Sequence, residues 1–191
     1  MLFDDNIVIV NHHFLLMHWM QHFSISTPML AVHDHNERAR AKILVQKLAQ
    51  GQSIALISDA GTPLISDPGY HLVNAVRNAG YKVVPVVGPC ALIAGLSVAG
   101  LATDRFSFYG FLPAKSSGRK QQLQQLVSVT HTQIFYESPH RIVATVDDIV
   151  AVMGANRQLV LARELTKTFE TIFSAKASEV KCWLGADHNQ Q

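Results

Sequence analysis

Cysteine is nearly absent. Cys90 and Cys182 are the only two in 191 residues, and both lie in apolar stretches of sequence. Neither a disulfide framework nor the ligand spacing of a zinc site is available, which suits a reducing, cytoplasmic setting. Long apolar runs are also missing, and none approaches the roughly 18 residues of a membrane span. The apolar stretch Phe14–Met20 is broken by His18 and follows Asp4 and Asp5 rather than a basic cluster, so it does not read as a signal peptide. Glycine is absent until Gly51, and charged residues make up only 16% of the chain. The net charge of +2, with 10 histidines, permits an RNA partner without requiring one. What is plentiful is apolar: 48% hydrophobic residues can fill a core, which excludes a disordered chain. No internal repeat is present.

The densest local signal is Ile54–Gly69. Ile54 to Ile57 reads as a buried strand. It breaks into a loop of Ser58-Asp59-Ala60-Gly61-Thr62-Pro63 and Ser66-Asp67-Pro68-Gly69, which runs into a helical segment over Tyr70–Ala79. A strand ending in a rigid polar loop that feeds a helix is where open α/β sheets bind ligands. Two turns capped by Asp59 and Asp67 would explain the same composition.

Elsewhere, Ile7–Val10 and Pro28–Val32 read as strands and Asn11–Phe23 as a helix. His18 and His22 share a face of that helix, but no carboxylate or cysteine completes a metal set, so no metal site is expected. Ala41, Leu44, Val45 and Leu48 mark a helix over Asn36–Gln50, with Asn36 as its cap. Lys82–Val87 reads as a strand made irregular by Pro85. Gly88-Pro89-Cys90-Ala91 then opens a small-residue helix, expected to be buried; its N–H groups are open to a ligand, though close helix–sheet packing explains the small residues equally well. After a strand at Phe106–Gly110, Phe111–Lys120 reads as a linker, placing a boundary between domains 1–113 and 114–191. Further elements are a helix over Arg119–Val127 and a strand over Gln133–Tyr136. A helix capped by Ser138 should run to Met153, followed by a strand over Gln158–Ala162 and a weak helix over Ala177–Leu184. Asp187–Gln191 forms a polar tail.

Together with the Ser58–Gly69 loop, several stretches in order resemble the ribosomal RNA small-subunit methyltransferase I family of the tetrapyrrole-methylase superfamily. They are His33-Asp34-His35-Asn36-Glu37, Val87-Gly88-Pro89-Cys90-Ala91, Phe108–Pro113, Phe135–Arg141 and Leu161–Lys167. The resemblance spans roughly Ser24 to Trp183. It implies a two-domain α/β fold with S-adenosylmethionine in a cleft between domains, a homodimer without membrane attachment, and 2′-O-methylation of a cytidine in the decoding region of 16S rRNA. Family members open with a strand and a Thr-Pro-Ile-Gly-Asn-Leu loop, then a Glu-Asp-Thr-Arg stretch. Residues 1–20 hold neither, and the similarity fades after Trp183–Asp187. The expectation is a member truncated at both ends. The alternatives are an inactive remnant that dimerises or binds RNA, and a small-molecule methylase of the wider superfamily.

By the same resemblance, cofactor contacts fall to Asp59, Ala60, Gly61, Pro63, Ser66, Asp67, Pro68, Gly69, Pro89, Cys90, Ala91, Leu165 and Thr166. A ribose hydroxyl needs a proton acceptor as it attacks, and Glu137 and Glu164 are the candidates. Arg141 and Lys167 suit the neighbouring phosphates, although a pair of structural salt bridges at a domain interface would equally explain Glu137, Arg141, Arg163 and Glu164. Lys115, Arg119 and Lys120 are candidate RNA contacts, or a solvated linker.

Overall fold

The computed structural model describes residues 6–10, 13–33 and 35–186, with the side chains of 6–10 and 13–16 left aside. The expected helix start at residues 11–12, Asp34 and the polar tail 187–191 lie outside the described residues. The chain divides into two compact units between Cys90 and Ala91. The boundary expected at Pro113 falls inside the second unit, on the connection from β4 (Phe106–Phe111) to α5 (Ser116–Leu126).

The first unit is a three-stranded parallel sheet in the order β2-β1-β3. Its strands are β1 (Asn6–Val10), β2 (Met29–Ala31) and β3 (Ser53–Ile57). Parallel neighbours need crossovers, and α1 (His13–His22) and α2 (Glu37–Ala49) supply them. The apolar face of α2 buries Ala41 and Leu44, which meet Val32 and Leu72 in the core. Leu72 comes from α3 (Tyr70–Asn78). Asn36 does not cap α2 with its side chain. Its Oδ1 instead accepts from the His33 N–H at 3.0 Å, and its Nδ2 donates to Ala31 O at 3.3 Å. Glu37 is 4% exposed and accepts from the Leu72 N–H at 3.1 Å, tying α2 to the first turn of α3.

Lys82–Val87 is not a strand: residues 81–90 take no regular structure, with Val86 93% and Val87 98% exposed. β propensity forms a strand only where a partner edge accepts the ladder, and no described strand pairs with this segment. Pro85 removes one donor besides.

The second unit begins with α4 (Ala91–Val98), which has no buried residue; Ile93 and Val98 are about half exposed. The expectation of a buried helix therefore fails. β4 pairs in parallel with β5 (Thr132–Tyr136). α6 (Ile142–Met153) starts after Arg141, because Ser138–Arg141 forms a separate turn closed by Arg141 N to Ser138 O at 3.0 Å. β6 (Gln158–Arg163) pairs antiparallel with β7 (Thr171–Lys176), a strand that the sequence reading left out. Its signal is the alternation in Thr171–Lys176, where every second side chain turns inward. α7 (Ala177–Ala186) packs Val180 and Leu184 against Val146 of α6.

The second half of the stretch read as a linker, Ser116–Lys120, is the start of α5. Asp148, on α6, draws it in. Ser116 Oγ donates to Asp148 Oδ2 at 2.9 Å, Arg119 Nη2 lies 2.6 Å from the same oxygen, and Lys120 Nζ lies 3.4 Å from Oδ1. Burial pushes the Asp148 carboxyl up, but the hydrogen bonds from Ser116, Arg119 and Lys120 and the Arg119 charge outweigh it. Its pKa therefore lies below the ordinary 3.8.

Candidate functional site

The loop after β3 is held in a conformation that few sequences tolerate. Gly61, Leu64, Ser66 and Gly69 all have positive φ, at 73°, 72°, 58° and 133°. For Leu64 and Ser66 this costs roughly 1 kcal/mol each. Such strain persists only where surroundings over-determine it. One restraint is Thr62, whose hydroxyl donates to Pro89 O at 2.9 Å, joining the loop to the Gly88–Cys90 turn. Another is packing at Gly69, where a Cβ would lie 2.9 Å from Leu64 Cδ1 and 3.1 Å from Leu56 Cδ2. The expected contacts Asp59–Gly61, Pro63, Ser66–Gly69, Pro89 and Cys90 are thus gathered in one loop pair of the first unit. Asp67 Oδ2 is buried there without a hydrogen-bond partner. An unpaired buried acceptor costs free energy, so the loop fits a ligand that brings N–H or O–H donors, as the ammonium and ribose of S-adenosylmethionine do.

In the second unit, Tyr136 anchors the start of α4: its hydroxyl accepts from the Leu92 N–H at 3.2 Å. One of the N–H groups expected to face a ligand is therefore already taken. Gly95 brings α4 against the end of β6, since a Cβ there would touch Ala162 Cβ at 3.6 Å and Leu165 Cδ1 at 3.7 Å. Leu165 thus packs near Gly95 in the middle of α4, whereas Ala91, at the start of that helix, is exposed; Thr166 follows Leu165 in the turn after β6. Glu164 and Thr166 have φ of 51° and 67°. Glu170 helps to hold that turn, as its Oε2 accepts from the Thr166 N–H at 2.6 Å. Lys167 Nζ lies 3.1 Å from Glu164 Oε1, and both side chains are open to solvent.

Glu137 sits differently. Its side chain is 7% exposed, and Oε1 takes Arg141 Nη2 at 2.6 Å and the Ser138 N–H at 2.7 Å. Oε2 accepts from the Thr145 hydroxyl at 2.6 Å. A carboxylate so fully engaged orients its partners and is poorly placed to take a proton from a substrate. Arg141 stays partly exposed and also reaches Leu112 O at 3.4 Å.

Of the three candidate RNA contacts, Lys115 and Lys120 are exposed, whereas Arg119 is 3% exposed and committed to Asp148. The sequence reading missed Thr62, Tyr136, Thr145 and Glu170. Thr145 lies eight residues after Glu137, a spacing with meaning only once the Ser138–Arg141 turn precedes α6. Among the described residues, no group of His, Cys, Asp and Glu is placed to hold a metal ion. None of their helices is long and apolar enough to cross a membrane.

Residues 7–181 match the family described as Tetrapyrrole (Corrin/Porphyrin) Methylases. The chain is 58% identical over 172 residues to the protein of Vibrio cholerae serotype O1 named Ribosomal RNA small subunit methyltransferase I. It is 55% identical over 172 residues to the protein of that name from Escherichia coli O157:H7. Each alignment takes in 90% of this chain and 60% of the relative, so the chain spans about three-fifths of the length of these relatives. Among solved structures it is similar to the methyltransferase CobJ, with a TM-score of 0.63 at 16% identity over 97% of this chain and 78% of that one. Diphthine synthase gives 0.67 at 14% identity over 93% and 74%. At such identities the likeness is one of fold.

Proposed function

The chain belongs to the tetrapyrrole (corrin/porphyrin) methylase family, and from that premise we infer that it is built for S-adenosylmethionine-dependent 2′-O-methylation of a cytidine in the decoding region of 16S rRNA. The likeness to two proteins named as small-subunit rRNA methyltransferases supports RNA over a small molecule. In the first unit, the reading assigns cofactor contacts to Asp59–Gly61, Pro63, Ser66–Gly69, Pro89 and Cys90. In the second, it assigns them to Ala91, Leu165 and Thr166. S-adenosylmethionine supplies a methyl group already activated by a positive sulfur, so the protein's part is alignment and exclusion of water.

The observation that carries the reading is the difference between the two glutamates. Glu137 is saturated and fixes Arg141, whereas Glu164 stands 41% exposed on a strained turn beside Lys167. We assign Glu164 as the acceptor for the ribose hydroxyl proton, and Arg141 and Lys167 as the groups that hold flanking phosphates. Lys115 and Lys120 add positive charge for the approach of RNA. A homodimer in the cytoplasm completes the proposal.

One observation favours a second reading, a folded but inactive chain. The Val-rich segment before Gly88 is unpaired and exposed, although it leads into the Pro89 turn that the cofactor reading needs. Incubating the chain with small subunits that lack the modification and a methyl-labelled donor decides between them. Label on the ribose of a decoding-region cytidine supports the enzyme. Calorimetric affinity for S-adenosylmethionine weaker than micromolar, with no transfer, supports the inactive chain.

A further inference from the structure

The geometry points to the cleft between α2 and α3, in the first unit, as a binding site for the sugar–phosphate backbone of single-stranded RNA. This cleft has a volume of about 500 Å³. Ala41, Val45 and Ala75 give it an apolar floor; Arg38, Lys42 and Gln46 form one side, and His71 the other. Arg38, Lys42 and Gln46 recur every four residues along α2, so they stand on one face, and all three are exposed.

Among the described residues, neither Arg38 nor Lys42 has a carboxylate partner. The adjacent acid, Glu37, is turned into the interior, where it takes the Leu72 N–H. Among the described residues, an incoming anion meets two cations and no competing carboxylate. The row from Arg38 to Gln46 is about 12 Å long at the helical rise, more than one phosphate covers, which favours a polyanion over a free phosphate. The apolar floor suits ribose rings, and Gln46 and His71 can donate to their hydroxyls or to phosphate oxygens.

An exposed aromatic ring adjoins the His71 side of the cleft. Tyr70 is 64% exposed, and its ring meets the His71 ring with centroids 5.2 Å apart at 64°. Exposed aromatics beside basic side chains bind single-stranded nucleic acid by stacking unpaired bases while the cations hold the backbone. This inference shares with the proposed function the premise that RNA is the partner. It needs neither methyl transfer nor a particular sequence.

The test is fluorescence anisotropy of the full chain with two labelled single-stranded RNAs, one from the decoding region and one unrelated, over a range of salt concentrations. Circular dichroism first checks that each variant is folded. The double charge reversal Arg38→Glu/Lys42→Glu should weaken binding of both RNAs by about tenfold or more at low salt, and flatten the slope of log affinity against log salt by about 1.5. Tyr70→Ala should weaken binding about tenfold without changing that slope. The charge-matched Arg105→Glu/Lys176→Glu pair, in the second unit, should stay within about twofold of the unaltered chain. Equal weakening by both charge reversals, or no RNA binding by the unaltered chain at low salt, overturns the inference. RNA binding that depends on the cleft, with no methyl transfer, upholds it and counts against the proposed function alone.

Discussion

The hydroxyl of Thr145 donates to Oε2 of Glu137 at 2.6 Å, completing a carboxylate whose other oxygen holds Arg141. A residue on the first turn of α6 thereby controls how Arg141, directly before that helix, is presented. Thr145→Val keeps the shape and removes the donor. A buried acceptor left short of a partner costs about 1–3 kcal/mol, and chemical denaturation should show that loss. Thr145→Ser should recover most of it. A Val variant as stable as the unaltered chain would show that the hydroxyl contributes nothing.

Asp148 is the second buried anchor. Replacing it by Asn leaves the Arg119 guanidinium buried beside a neutral group, and stability at pH 7 should fall by about 3 kcal/mol. The sign of the pH dependence follows from the lowered carboxyl pKa. The folded value lies below the unfolded one, so the carboxylate stabilises the fold above the unfolded value and loses that effect as pH falls through the folded one. Denaturant titrations should therefore show the gap between the unaltered chain and Asp148→Asn closing below about pH 4. A gap independent of pH would mean that packing rather than charge holds α5 to α6.

Gly69→Ala tests the strained loop. The φ of 133° and the approach of a new Cβ to within 2.9 Å of Leu64 Cδ1 both oppose the substitution. It should cost about 1–3 kcal/mol, measured by thermal unfolding, and more than Gly88→Ala, where a Cβ meets nothing within 4 Å. Equal costs would remove the claim that this loop is tightly specified.

Val86 and Val87 point the other way. At 93% and 98% exposure, they contribute no burial. Val86→Lys/Val87→Lys should change stability by no more than about 0.5 kcal/mol per site and raise the concentration at which the chain stays monodisperse. A loss of several kcal/mol would place this segment inside a core.

Local order was legible in the residues. Regular periodicity placed α2, α3, β3, β5 and β6 within a residue or two, because an apolar face must be buried wherever it lies. The Ser58–Gly69 loop was legible for the same kind of reason: Gly and Pro restrict backbone angles locally. Partners decided the rest. Lys82–Val87 has the composition of a strand, but a strand needs a neighbouring edge to pair with. Ser116–Lys120 has the composition of a linker, yet becomes helix because Asp148 lies thirty-two residues away from Ser116 in sequence and next to it in space. Arg119 and Lys120 are adjacent and alike in charge, but helical geometry buries the first on Asp148 and leaves the second half in solvent. The same holds for Glu137 and Glu164. Either carboxylate would serve as a base on composition alone. Only the folded chain surrounds one with Arg141, Ser138 and Thr145 and leaves the other beside Lys167 in water. Electrostatic environment is a property of neighbours in space, and neighbours in space are what a linear pattern does not contain.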